Sequence, residues 1–229
     1  RAVVLGLGSV IVFSFFIFRS LQKNKKANKI ITLQKIEVER QKEVVEHKNE
    51  IIEEKQKEIL DSINYAKRIQ YTLLAHADFL KENLQEHFVF FNPKDIVSGD
   101  FYWAAKKDGR FYLAVCDSTG HGVPGAFMSL LNIGFLSEAI NEKDISKPNE
   151  VFDYVRQRLT DSISKDGQKD GFDGILVCFD SINKTITYSA AHNAPLLVRN
   201  SELIELDADK MPVGVGERKQ EFALRTIDY

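Results

Sequence analysis

The chain has 229 residues, 44% hydrophobic and 28% charged, with 13 Gly, 5 Pro, 2 Cys and a formal net charge of −2. The apolar share excludes a fully disordered protein, two cysteines are too few for a disulfide scaffold, and the charge balance lacks the basic excess of a nucleic-acid binder. The length suits one folded domain with extra segments, and the sequence from Arg1 to Tyr229 reads as clipped at both ends.

Residues 2–18 carry no charge, and 13 of these 17 are strongly apolar. That is the lower edge of the length needed to cross a bilayer. Arg19, Lys23, Lys25, Lys26 and Lys29 follow, with no acid before Glu37. A basic flank on this side predicts a transmembrane helix at 1–18 with the rest of the chain in the cytoplasm, at the cytoplasmic membrane. A cleaved signal peptide has the opposite order of charge and apolar run; a buried core helix is the other alternative.

Residues 28–75 lack Gly and Pro and are dense in Lys, Glu and Gln, which is helix composition. Ile31, Val38, Val45, Ile52 and Ile59 recur every seven residues, and Ala66 and Leu73 extend the column. A strict seven predicts a supercoiled partner, hence a homodimer. The second seam is polar (Lys35, Lys42, Asn49, Gln56, then Ile63). The segment 19–75 is therefore a basic juxtamembrane stretch leading into a weak signalling coiled coil, or else a solvated spacer helix.

From about residue 88 the pattern changes to period-two apolar runs with turns. Phe101–Trp103 and Phe111–Cys116 flank Asp108-Gly109, a strong two-residue hairpin signal. Helices are predicted from Pro124 to about Ile140 and over about 149–164. Strands are predicted near 174–180, 185–191, 196–199 and 221–227. Hairpins interrupted by two helices indicate an α+β domain over 76–229.

The hairpin places two acids together. With Asp108-Gly109 as the loop, Lys107 faces Arg110 and Asp100 faces Asp117, on one face with Cβ atoms ~5 Å apart. Like charges so placed need neutralising. A divalent cation does this, since carboxylates suit Mg²⁺ and Mn²⁺; one protonated carboxyl, or two acids splayed into water, are the alternatives. Asp117 opens Ser-Thr-Gly-His-Gly-Val-Pro-Gly, in which Gly120, Gly122 and Gly125 allow sharp turns and close approach to a ligand. The helix near Pro124 directs its positive end at the same place. Paired acids beside a helix N-terminus suit phosphate chemistry.

SGDFYW at 98–103, CDSTGHGVPGAFMS at 116–129, YSAAHNAPLLVRN at 188–200 and DKMPVGVG at 209–216 resemble, in order and spacing, the SpoIIE branch of the PPM-type metal-dependent serine/threonine phosphatases. The resemblance implies a PPM-like sandwich of two antiparallel β-sheets flanked by helices, here C-terminally truncated and preceded by the coiled-coil and transmembrane helices. It implies two Mn²⁺ or Mg²⁺ ions. Asp100 and Asp117 match family metal ligands, Ser118 would add its backbone carbonyl, and Gly99, Gly120 and Gly122 form the loop around the phosphate. The implied activity is hydrolysis of phosphoserine or phosphothreonine in bacterial signal transduction by direct attack of an activated water. The implied substrate is a small phosphorylated protein such as an anti-sigma-factor antagonist. The family completes its metal site with a downstream Asp-Gly and a late Asp pair that these residues do not contain, so the chain alone is expected to be inactive.

Other residues leave alternatives open. His121 is a candidate general acid or a hydrogen-bond partner of its own loop. Asp173 is a candidate metal ligand or a turn acid. Asp95 pairs with an Arg or caps a turn, and His192 and Asn193 are turn residues. Cys116 and Cys178 are small buried thiols, and Phe101, Trp103 and Tyr112 fill the core opposite the site face. Two further readings stand beside the enzyme: a non-catalytic phosphatase-like relay, and a membrane-anchored coiled-coil scaffold with an unrelated α+β domain.

Overall fold

With neither Gly nor Pro between residues 28 and 75, nothing interrupts the first helix, and α1 runs from Ala2 to Leu73. The computed structural model describes residues 2–163, 170–218 and 220–227, and the side chains of residues 2–7, 9 and 10 lie outside the described set. The chain divides into two units, one ending at Leu60 and one beginning at Asp61.

In the first unit, α1 is laced by short-range pairs such as Glu37–Arg40, Lys42–Glu46 and Lys55–Glu58, three or four residues apart as helical geometry requires. The heptad residues Ile31, Val38, Val45, Ile52 and Ile59 are 52–62% exposed. Within the predicted 1–18 span the side chains of residues 2–7, 9 and 10 lie outside the described set; Gly8 and Ile11 to Phe18 are exposed helix. Among the described residues, the helical stretch apolar and long enough to cross a bilayer is Gly122–Glu142, and its 56% burial marks it as a core helix.

The second unit is built on the predicted hairpin. β1 (Asp100–Lys107) and β2 (Arg110–Ser118) pair in the expected register, from Lys107 opposite Arg110 to Asp100 opposite Asp117. Asp108 and Gly109 both take positive φ, as the tight turn requires. The helices α2 (Ala77–Asn83), α3 (Gly122–Ser137) and α4 (Pro148–Ser162) pack around the sheet, with a π-helical turn (Glu138–Glu142) extending α3. The strands β3 (Gly171–Asp180), β4 (Thr185–Ala191), β7 (Val213–Gly214) and β8 (Arg225–Ile227) complete an antiparallel six-stranded sheet in the order β1-β2-β3-β4-β8, with β7 on β3. β5 (Leu196–Arg199) and β6 (Glu202–Glu205) form a separate two-stranded hairpin. Of the two expected sheets, then, one is large and the other is a two-stranded ribbon.

Strand alternation sorts the side chains. Phe101, Trp103, Tyr112, Ala114 and Leu176 turn to one face, where they meet Leu136, Phe152, Val155 and Leu159 of α3 and α4 in the main core. Phe152 contacts both Phe172 and Phe222 edge-on, at 5.6 and 5.5 Å. Each such side chain contributes ~1.5–3 kcal/mol on burial. The opposite face carries Phe111, Leu113, Val115 and Asp117. Its turn end is covered by Phe79 and Leu80 of α2. Towards the acids Val115 is 55% exposed. Both cysteines are free and buried.

The predicted strand at 221–227 shortens to Arg225–Ile227. Asp153 of α4 accepts the Phe222 backbone N–H at 3.3 Å, and Arg156 donates to the Gln220 carbonyl at 2.7 Å and stacks over the Phe222 ring. These bonds hold residues 220–222 to α4, out of reach of the sheet.

Candidate functional site

The row of strands places acidic side chains side by side. Asp100 of β1 faces Asp117 of β2, and Asp117 faces Asp173 of β3. Cross-strand partners share a face. Asp100 is pushed above the ordinary carboxylate range, first by burial and then by the neighbouring Asp117 carboxyl and its charge. The hairpin therefore brings together the two acids its turn predicts.

Asp173 sits beside them in register but its carboxylate is engaged elsewhere: His192 Nδ1 lies 2.8 Å from Asp173 Oδ1. Among the described residues no three His, Cys, Asp or Glu side chains converge closely enough to hold a metal ion. The Ser118 hydroxyl is buried and accepts from Asn132 of α3 at 3.0 Å. Thr119 locks the end of β2 to β3, its N–H and hydroxyl both donating to the Gly171 carbonyl, at 2.9 and 3.1 Å.

The glycine loop is packed backbone on backbone. A Cβ on Gly99 would stand 2.5 Å from the Gly120 carbonyl oxygen, and one on Gly125 would strike the same oxygen. Gly120 and Gly122 have φ of +92° and +61°. His121, between them, is the N-cap of α3, and its Nδ1 lies 3.2 Å from Asp95 Oδ2. Asp95 is therefore a histidine partner, in place of the expected arginine pair or turn cap.

A cleft of roughly 760 Å³ opens on this edge of the sheet, lined among others by Asp117, Gly120, His121, Asp173, His192 and Lys210. A second groove of roughly 520 Å³ reaches Asp100 and Asp117 from the side of Phe88, Phe90 and Val115. Sequence reasoning left His192 as turn chemistry. The signal that finds it is the register of β3 and β4: Gly174 pairs with Ala191, so the next step sets Asp173 against His192.

A family model described as Stage II sporulation protein E (SpoIIE) matches residues 107–229. Among solved structures, the SiaA-PP2C domain of Pseudomonas aeruginosa is 26% identical with a TM-score of 0.67, over 75% of this chain and 68% of that one. The PP2C phosphatase domain with a fragment of the regulatory domain of the cell fate determinant SpoIIE from Bacillus subtilis is 19% identical with a TM-score of 0.48, over 58% of this chain and 37% of that one. Among curated proteins there is no match.

Proposed function

This chain belongs to the SpoIIE family, whose domain spans its residues 107–229, and on that premise we propose that it acts as a Mn²⁺- or Mg²⁺-dependent phosphoserine/phosphothreonine protein phosphatase. In this reading it is tethered to the cytoplasmic membrane by residues 1–18 and works in bacterial signal transduction, with residues 19–75 as the relay and 76–229 as the catalytic domain. Its substrate is a small phosphorylated protein of the anti-sigma-factor-antagonist kind. The observation that carries it is the pair Asp100–Asp117, two acids set directly opposite each other at one end of the sheet.

The donor chemistry fits a divalent cation: two hard oxygen donors whose mutual repulsion the ion relieves. Asp100, Asp117 and the Ser118 carbonyl would hold it. The family implies two ions; among the described residues no three His, Cys, Asp or Glu side chains converge, and Asp173 is bonded to His192. When bound, such an ion neutralises phosphoryl charge and activates a water. The chain's own residues do the rest. The stacked glycines let the loop backbone approach the phosphate closely. His121, oriented through Nδ1 by Asp95, directs its other nitrogen to the role of proton donor for the departing seryl or threonyl oxygen.

Mn²⁺ binding and phosphate release, measured together, test this. Asp117→Asn is expected to remove Mn²⁺ binding. With so few donors, release of phosphate from a phosphoserine peptide by the 229 residues alone is expected to be at most slight. Any release at saturating Mn²⁺ should vanish in Asp117→Asn. Release that persists in that variant refutes the assignment, while the absence of any Asp117-dependent Mn²⁺ binding favours the non-catalytic relay.

A further inference from the structure

We propose that His192 and Lys210 form a phosphomonoester-binding subsite on the β4 side of the cleft. The nature of the anion rests on the phosphatase reading; the subsite itself rests on geometry.

His192 lies just past β4, where the sheet register continues Asp100, Asp117 and Asp173 across one edge. A carboxylate only accepts hydrogen bonds, so at 2.8 Å His192 Nδ1 is the donor to Asp173, and Nε2 is left to donate to another partner when the ring carries its second proton. The backbone of His192 is held in the left-handed region, φ +54°. A non-glycine residue stays there only when its surroundings impose it. Here the constraint is the His192 N–H, which donates to the Asp209 carbonyl at 2.8 Å.

Asp209 in turn anchors Lys210. It is buried, its carboxylate grips Arg225 at 2.8 and 3.1 Å and accepts the Ala223 N–H at 2.9 Å, and its own N–H donates to Ala190 at 2.9 Å. Lys210 therefore rides on a rigid segment that is bonded directly to His192. Its ammonium has no ion-pair or hydrogen-bond partner among the described residues, and it lines the same cleft as Asp117. Two strand spacings, ~10 Å, separate the Asp117 and His192 backbones, enough for one phosphoryl group between their side chains. A dianion entering a cleft already walled by Asp117, Asp170 and Asp173 needs cationic partners, and the doubly protonated His192 ring and the Lys210 ammonium, which line the same cleft, supply them.

The test is an NMR titration of the full chain in detergent micelles with Mg²⁺, using O-phospho-L-serine against L-serine. Phosphoserine is expected to shift the His192 ring signals saturably and serine not at all. His192→Gln and Lys210→Met should each weaken binding about tenfold or more, as loss of a charge-assisted hydrogen bond does. Asp173→Asn should weaken it less, and the exposed-lysine control Lys106→Met should leave it unchanged. Unaltered circular dichroism establishes that the variants fold. Equal response to serine and phosphoserine, or wild-type affinity in both His192→Gln and Lys210→Met, overturns the subsite. Phosphoserine held through these residues by a chain whose Mn²⁺ binding and any phosphate release are unchanged in Asp117→Asn sustains the subsite and sinks the hydrolase reading. Turnover with unchanged KM in both variants does the reverse.

Discussion

The Gly120 carbonyl is wedged between Gly99 and Gly125, and this contact brings the loop before β1 against the start of α3. Gly125→Ala places a methyl against that oxygen, with backbone on both sides and no flexible side chain to yield. The expected cost is ~1–3 kcal/mol, read as a lower denaturation midpoint, with weaker Mn²⁺ binding because the Asp117 loop moves. Asp180 offers a pH test remote from the site. It accepts the Asn183 and Ile182 backbone N–H groups, the Asn183 amide and the Arg110 guanidinium. The Asn183 bonds, backbone first, do most to lower its pKa to about 2 from 3.8. A depressed carboxylate stabilises the fold above its unfolded pKa, and that stability is lost as pH falls through the folded value. Acid titration should therefore show a stability loss between about pH 4 and pH 2 that Asp180→Asn lacks; equal acid profiles would refute it. At this scale the Asp100–Asp117 pair was legible because a two-residue turn fixes its register. His192 was not, because its role depends on how β3 and β4 align across a four-residue loop.

Among the elements, the last turns of α1 are fastened by a buried amide. Gln70 is 1% exposed; its amide donates to the Ser98 carbonyl at 2.6 Å and to the Ser129 hydroxyl at 2.7 Å, and accepts the Ser98 N–H at 3.0 Å. One residue thus connects the last turns of α1 to the segment two residues before Asp100 and to α3. Gln70→Ala strands buried polar groups and is expected to cost ~2–4 kcal/mol. Thermal denaturation checks this; a loss under ~0.5 kcal/mol would mean water replaces the amide. The hairpin, both long helices and β4 and β5 were readable from turn residues and periodicity. Short elements were not: α2, β6 and β7 are too brief for a period to emerge. The strand predicted at 221–227 survives only at Arg225–Ile227, because α4 holds Phe222 through Asp153 and Arg156.

For the molecule as a whole, the heptad column is an apolar feature left uncovered by the described residues. Five β-branched residues at seven-residue spacing stand more than half exposed, and a second copy of the helix is the proposed cover. Sedimentation equilibrium of the full chain in density-matched micelles should show a dimer, and Val45→Glu with Ile52→Glu should shift it to monomer. A wild-type chain that sediments only as monomer refutes the pairing. The fold class was legible because hairpin and helix signals alternate along the sequence. The size of the second sheet was not, because alternation shows that a strand exists and says nothing of which sheet it joins.

The Asp108-Gly109 bend has an evolutionary corollary. Adding or deleting one residue there would invert the alternation of β1, sending Phe101 and Trp103 to water and Asp100 among the aromatics. Hydrophobic interior and reactive edge are thus inherited as a single trait: lineages can vary the identity of side chains around this bend, but not its length by one.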